Sequence, residues 1–322
     1  MTASPHDVPP PPLVVDLDGT LIRSDMLYET FWSAMASRWT TPFVALSALL
    51  RGRAALKRRL AQIGPVDVRA LPYNPDVLHY INDRRAEGVQ TALVTASDQQ
   101  LANRIAEHLQ VFDLVQGSGD GVNLKGDHKA RFLSARFPAG FAYMGDSLAD
   151  LRVWPHAVKA VTVTPSSALR ARVEKLGCEV EHLETTKVPA SAYLRAMRPQ
   201  DWLLNLAVFL PLLGMAGVAV AQFSAAFVVF VALGLVTSAS AIARPLLWRQ
   251  AGGMEPEMPI THATLLWFLL NLTGLALAAT VGPWLAGISL ALAAAGYLIV
   301  RSPVLLAAVR VGLALAAGAI LF

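Results

Sequence analysis

Asp16 and Asp18 stand two residues apart at the end of the apolar run 13–17, with Gly19 and Thr20 directly behind them. Two carboxylates this close cannot both stay charged and unpaired at low cost, so they call for a shared proton or a cation. An all-oxygen ligand set suits a hard divalent ion. Further along, Thr95 closes a second apolar run, Lys129 opens a helical pattern, and Gly145-Asp146-Ser147-Leu148-Ala149-Asp150 follows a third run. If each run is a strand of one sheet, all four points converge on its carboxyl edge.

The elements that would position them alternate in type. Residues 13–17, 91–95, 111–115, 141–144 and 158–163 read as strands. Helical patterns begin near Asp25, run from Asp76 to Glu87 with Gly88 as the stop, carry Leu101, Ile105 and Leu109, and extend from Lys129 to Phe137. Strands alternating with helices predict a parallel sheet covered on both faces, with the active site beyond the carboxyl ends of the strands.

DLDGT at 16–20, LVT at 93–95, Lys129 and GDSLAD at 145–150 resemble, in order and in context, the four motifs of haloacid dehalogenase-like (HAD) phosphatases. The resemblance implies a Rossmann-like α/β domain over 13–190 with a helical cap over about 25–88 that selects the substrate. It also implies roles. Asp16 is the nucleophile, forming an aspartyl-phosphate, and Asp18 the general acid and base. Thr95 and Lys129 hold the phosphoryl oxygens. Asp16, the Asp18 backbone carbonyl and Asp146 bind Mg²⁺, with Asp150 orienting that shell. Taken singly, each aspartate reads better as a helix or turn cap; three in register favour the metal. Lys125 competes with Lys129 for the phosphate role, and Lys129 is preferred because Phe132, Leu133 and Phe137 give it a helix. His79, His108, His128, His156 and His182 lack metal-ligand spacing, and the single cysteine, Cys178, excludes an intrachain disulfide and reads as an inert small residue in a reducing compartment.

Charge divides the chain in two: 8 of the last 125 residues are Asp, Glu, Lys or Arg, against 42 of the first 197. Water-facing surfaces normally need roughly a quarter of their residues charged, so 198–322 reads as an all-α transmembrane domain. Five spans are expected, at about 202–221, 224–243, 263–281, 284–300 and 303–322. With the first domain in the cytosol, Arg244, Arg249 and Arg301 fall on the cytosolic side, as the positive-inside rule requires. Residues 1–12 lack a basic n-region and an apolar h-region and read as a disordered tail rather than a secretory signal. The net charge of +4 is small and dispersed, which sets nucleic acid aside. In the cap, Trp39, Phe43, Leu46, Leu49 and Leu50 fit either a cap core or membrane contact, and the basic run Arg51, Arg53, Lys57, Arg58 and Arg59 fits either a solvated face or anionic headgroups.

Arg198-Pro199-Gln200-Asp201-Trp202-Leu203-Leu204-Asn205 resembles the start of the first span of UbiA-type prenyltransferases, and the chain from about Pro12 onward resembles bacterial fusions of the two domains. That family places an aspartate-rich Mg²⁺ and prenyl-diphosphate motif after its second span. Here the corresponding stretch is 240–249, with Arg244 and Arg249, and no aspartate occurs from Leu203 to Phe322. Without an oxygen cage, prenyl transfer is not expected. Arg244 and Arg249 fit either lipid-phosphate ligands or positive-inside anchors, and Arg310, inside the last apolar run, implies a buried or headgroup-facing role.

The expectation is therefore a Mg²⁺-dependent phosphatase, multi-pass in a bacterial inner membrane with its catalytic domain cytosolic. The UbiA-type half suggests a polyprenyl-phosphate-linked sugar 5-phosphate as substrate. Two alternatives stand beside it: a tethered phosphatase for soluble metabolites such as phosphoserine, and a non-catalytic membrane-protein partner of an active prenyltransferase.

Overall fold

The computed structural model describes residues 10–119, 124–183, 185, 188–215, 217, 219–248, 258–298 and 302–321. Nine of the twelve tail residues, together with Arg249 and Arg301, lie outside the described residues. Two compact units emerge, one comprising Met1–Ala34 and Phe43–Lys187, the other Met35–Pro42 and Val188–Phe322.

The first unit is built on six parallel strands: β1 (Leu13–Val15), β2 (Thr91–Asp98), β3 (Leu114–Ser118), β4 (Ala142–Gly145), β5 (Lys159–Thr162) and β6 (Glu179–His182), in the order β3-β2-β1-β4-β5-β6. β1 reads LVV because both its faces are covered. Leu13 and Val15 pack in one cluster with Val77, Ile81, Leu101 and Ile105, from α4 (Pro75–Ala86) and α5 (Gln99–Leu109). Val14 packs in a second cluster with Leu133, Phe137, Leu169 and Val173, from or beside α6 (Asp127–Arg136) and α7 (Ser167–Val173). Alternate side chains of one strand thus feed two helix layers, and each fully buried Val or Leu contributes about 1.5–3 kcal/mol. Both neighbours of β1 run parallel to it, and the strand order reverses direction between β1 and β4. That crevice is where a doubly wound sheet offers a ligand site.

Between β1 and α4 the chain inserts α1 (Met26–Ser37), α2 (Thr41–Leu49) and α3 (Arg53–Ile63). The two ends of this insertion are pinned together by an antiparallel bridge between Ile22 and Tyr73, with Arg23 N donating to Pro72 O and Asn74 N to Leu21 O, each at 2.9 Å. The cap boundary of 25–88 is therefore too long. α4 belongs to the sheet layer, because two neighbouring parallel strands need a crossover, and Val77 and Ile81 are fully buried against β1. In α2 and just beyond it, Phe43, Leu46, Leu49 and Leu50 are 66%, 58%, 46% and 82% exposed, which removes the cap-core reading for these four.

The second unit contains α8 (Ala190–Met197), a 3₁₀ helix (Pro199–Gly214), α9 (Val220–Trp248), α10 (Ile260–Val281), α11 (Pro283–Leu298) and α12 (Pro303–Leu321). Five apolar helices follow residue 198, but three are long and apolar enough to cross a membrane: Val220–Trp248, Ile260–Val281 and Val304–Leu321. The expected five spans thus become three of that length among the described residues. α11 has 16 residues, and the 3₁₀ segment holds Pro211 within it. The expected break between the spans 202–221 and 224–243 is absent too, since Gln222 and Phe223 lie inside α9. The helices approach through small residues: a Cβ on Gly274 of α10 would meet the Ala232 carbonyl of α9 at 2.8 Å. Polar side chains add cross-helix bonds, from Trp202 Nε1 to Ser238 Oγ at 2.9 Å and from Asn205 Nδ2 to Thr237 Oγ1 at 3.3 Å.

Candidate active site

Asp16 directly follows β1, and its N–H donates to Met144 O of β4 at 3.0 Å, so pairing with β4 continues one residue past the strand. This sets its side chain at the β1/β4 crevice. The loop then turns through Gly19 at φ +78°, a conformation that glycine adopts without strain. The same glycine leaves room for a neighbour, because a Cβ there would lie 2.2 Å from Asp146 Oδ2.

Lys129, in the first turn of α6, brings Nζ 2.7 Å from Asp16 Oδ1, with the two side chains 4% and 13% exposed. Nζ also donates to the Tyr143 hydroxyl at 3.0 Å. Tyr143 in turn donates to Asp150 Oδ1 at 2.7 Å. The other oxygen of Asp150 accepts from the Ser147 hydroxyl at 2.7 Å, Ser147 N at 3.0 Å and Asp146 N at 3.3 Å. A buried chain of charge-assisted bonds therefore runs from Asp16 through Lys129 and Tyr143 to Asp150 and fixes the loop that carries Asp146. Lys125 is exposed and precedes α6. Of the two lysines, Lys129 is the one held at Asp16.

Asp18 faces another way. Its Oδ1 accepts from Met26 N at 2.8 Å, capping α1, and its Oδ2 accepts from Ser97 Oγ at 2.9 Å. The capping role that Asp plays at helix starts thus applies to Asp18, alongside its position beside Asp16. Thr95 is fully buried within β2, two residues beyond the Leu93 that pairs with Val15, and its hydroxyl oxygen accepts from Ser97 N at 3.0 Å.

Burial dominates the electrostatics. It raises the Asp16 carboxyl above the usual range, the Lys129 charge opposing the shift and Asp150 adding to it. Asp146 is pushed well above that range, first by burial and then by the charges of Asp150, Asp16 and Asp18. Burial also raises Asp18, with Asp25 and Asp16 adding to the shift, to about 7. The Tyr143 hydroxyl is held well above its ordinary value by burial and by Asp150, so it remains a donor.

Asp16, Asp146 and Asp150 each offer a carboxylate oxygen, all within 4.8 Å of one another. Three carboxylates against one ammonium leave an excess of two negative charges in a buried place, and the residues fit a hard divalent ion with oxygen ligands. The Asp18 side chain is not in this group, so any share of Asp18 in the metal falls to its backbone carbonyl.

Sequence reasoning missed Tyr143, Ser147 and Ser97. Tyr143 carried a signal: a tyrosine inside a buried strand needs a partner for its hydroxyl. Among the described histidines, His182 bonds Thr162 Oγ1 at 2.6 Å and Glu174 at 3.2 Å, and His108 packs beside Tyr73, outside this cluster. Cys178 is half-buried and free.

Residues 13–154 match the family described as haloacid dehalogenase-like hydrolase. The chain is 38% identical over 239 residues to the uncharacterized protein y4nM of Sinorhizobium fredii, a match that covers 73% of this chain and 46% of that protein. The chain therefore spans about half the length of this relative. Among solved structures, a protein of unknown function from Bordetella pertussis aligns with TM-score 0.40 and 17% identity over 53% of this chain and 97% of its own. A substrate-bound phosphoserine phosphatase aligns with TM-score 0.38 and 13% identity over 54% and 94%. A haloacid dehalogenase-like family protein from Streptococcus pneumoniae aligns with TM-score 0.39 and 14% identity over 54% and 94%.

Proposed function

We propose that this chain, whose residues 13–154 match the haloacid dehalogenase-like hydrolase family, is a Mg²⁺-dependent, membrane-anchored phosphomonoesterase. The observation that carries the reading is the buried Lys129–Asp16 pair beside Asp146 and Asp150 in the β1/β4 crevice. Asp16, Asp146 and Asp150, with the Asp18 carbonyl, would hold the ion, which supplies positive charge to the phosphoryl oxygens and neutralises the carboxylates.

In the first step an Asp16 oxygen attacks phosphorus and the ester bond breaks. Asp18, raised to about 7, is largely protonated below neutral pH and gives its proton to the departing oxygen. In the second, Asp18 takes a proton from water as the water attacks the aspartyl-phosphate, releasing phosphate and restoring Asp16. Ser97 serves both states of Asp18, since a hydroxyl can donate to the carboxylate or accept from the acid. Lys129 orients Asp16 and, with the Thr95 hydroxyl, meets the charge on the transferring oxygens. Tyr143 positions Lys129 and Asp150.

The substrate class proposed is a polyprenyl-phosphate-linked sugar phosphate. Supporting it are three helices of membrane-spanning length in the same chain, and a cap whose exposed Phe43, Leu46, Leu49 and Leu50 precede Arg51, Arg53, Lys57, Arg58 and Arg59 with no acidic residue from 30 to 66. In this reading the membrane is a bacterial inner membrane, the hydrolase unit is cytosolic, and the helical unit is a UbiA-type half without prenyl-transfer activity.

The test is phosphate release by the full chain, with Mg²⁺ and with EDTA, on a polyprenyl-phosphate ribose 5-phosphate mimic and on water-soluble phosphomonoesters. Metal-dependent release that prefers the lipid and disappears in Asp16→Asn is the expected result. Preference for a soluble ester such as phosphoserine would leave the helices as a tether. A biological role intact in Asp16→Asn, with no release from any substrate, would point to a non-catalytic partner of a prenyltransferase.

A further inference from the structure

The helical unit holds a second concentration of charge. Asp201, in the first turn of the 3₁₀ helix, accepts from Arg198 Nε at 3.1 Å and from Arg310 Nη1 at 3.5 Å. Arg198 and Arg244, the latter near the end of α9, both lie close enough to Arg310 to repel its charge. Arg310 thus lies near two other guanidiniums, and of the three only Arg198 and Arg310 contact the carboxylate. No other Asp or Glu occurs among the described residues of this unit.

Arg310 is the unusual member. It is the eighth residue of α12, inside a stretch apolar enough to span a membrane, and it is 7% exposed. Its Nε is buried with no hydrogen-bond partner, and its contact to Asp201 is long for a charged pair. A charge that only orients a span sits in the loop beside it. A charge within the span is costly unless it is neutralised, and such residues mark binding or transport sites. Arg198 and Arg244 are exposed, so an anion meets them first, with the buried guanidinium beyond.

We propose that Arg198, Arg244 and Arg310 form a phosphate-binding site in the helical unit, which Asp201 neutralises only in part. Guanidinium forks match the oxygens of a phosphate, and a phosphate anion supplies the negative charge and the acceptor that the cluster lacks. The phosphate belongs either to a lipid headgroup or to a free ion, and the two share this chemistry. All three arginines belong to the helical unit, and none is a residue of the candidate active site.

The experiment measures binding to the purified full chain in neutral micelles. The probes are dioctanoylphosphatidylglycerol, a phosphodiester chosen because a monoesterase does not cleave it, inorganic phosphate, and uncharged dioctanoylglycerol as control. The expected result is that the anionic lipid binds, the uncharged one does not, and Arg244→Gln and Arg310→Gln each weaken binding by about tenfold or more. Lys175→Gln, at an exposed residue of the other unit, leaves lipid binding unchanged. Inorganic phosphate that binds as tightly as the lipid, with the same dependence on both arginines, supports the site and assigns it to the free ion. Equal affinity in the wild type and both arginine variants, or no binding of either phosphate, overturns the proposal. Should Arg310→Gln fail to fold, the exposed Arg244 carries the test alone.

Discussion

Replacing Lys129 by methionine isolates the central electrostatic relation of the site. Methionine keeps the length and apolar stem of the side chain but removes the charge that sits 2.7 Å from Asp16. The pair is buried, and breaking a buried pair by deleting one partner costs about 3–5 kcal/mol, because the remaining charge is uncompensated. The cost depends on pH with a definite sign. The folded Asp16 carboxyl is already raised by burial, and losing the Lys129 attraction raises it further. In the variant, the folded state therefore keeps a proton that the unfolded state has released, and stability falls as pH rises above the ordinary carboxylate range. Near pH 5 the deficit should be about 1 kcal/mol, the worth of the lost hydrogen bonds. Near pH 8 it should reach about 3–5 kcal/mol, or about 2 M in the urea midpoint for an ordinary dependence on denaturant. The assay is urea unfolding of the full chain in neutral micelles, with proteolytic cleavage inside the first unit as the readout. Added Mg²⁺ should recover more stability in the variant than in the wild type, because the ion replaces the positive charge that the variant has lost beside Asp16. A deficit that is the same at both pH values, or absent at the higher one, would refute the reasoning.

Three further outcomes follow from the same geometry. Asp25→Asn removes the charge that, after burial, contributes most to raising Asp18; kcat/KM should fall above pH about 7 in the wild type as the acid ionises, and should fall at lower pH in the variant, as a pH profile at saturating Mg²⁺ would reveal. Gly19→Ala places a Cβ 2.2 Å from Asp146 Oδ2 at a positive φ, so Asp146 must move and Mg²⁺ affinity should drop by about 10–100-fold, read from the metal dependence of phosphate release. Asp146→Asn relieves carboxylate crowding: the folded pKa of Asp146 is raised, which costs stability as pH rises. The metal-free variant should therefore melt higher than the wild type at pH about 8, while its gain from Mg²⁺ shrinks; a lower melting temperature without metal would contradict this.

Tyr143 links these predictions. Its hydroxyl accepts from Lys129 and donates to Asp150, so the lysine paired with Asp16 and the loop bearing Asp146 are held by one side chain. Tyr143→Phe keeps the ring against Trp154 but severs both bonds. The loss should appear in both kcat and metal affinity, whereas loss of packing alone would lower stability and leave the metal dependence of the remaining activity unchanged.

Local chemistry made much of this legible in the chain itself. Continuous apolar runs marked β1, β2 and β4, since a strand covered on both faces has no polar side to alternate. The charge break marked the helical unit because a lipid-facing surface excludes Asp, Glu, Lys and Arg. β6 escaped notice because Glu179–His182 is charged and lies at the sheet edge, where Lys159 pairs with Glu179 and Glu181, and Tyr80 reaches Glu181. The cap boundary was overextended because an amphipathic helix reads alike whether it packs on a cap or on a sheet. Only the tertiary structure decided which lysine meets Asp16, that Asp18 turns to Met26 and Ser97, and that Tyr143 joins Lys129 to Asp150. Spacing along a chain fixes which residues leave a strand end; contacts across 79 or 113 positions, such as Ser97 to Asp18 and Lys129 to Asp16, are set by how helices and strands pack. For the same reason Arg198 and Arg310, 112 positions apart in the sequence, meet on Asp201 only when their helices assemble.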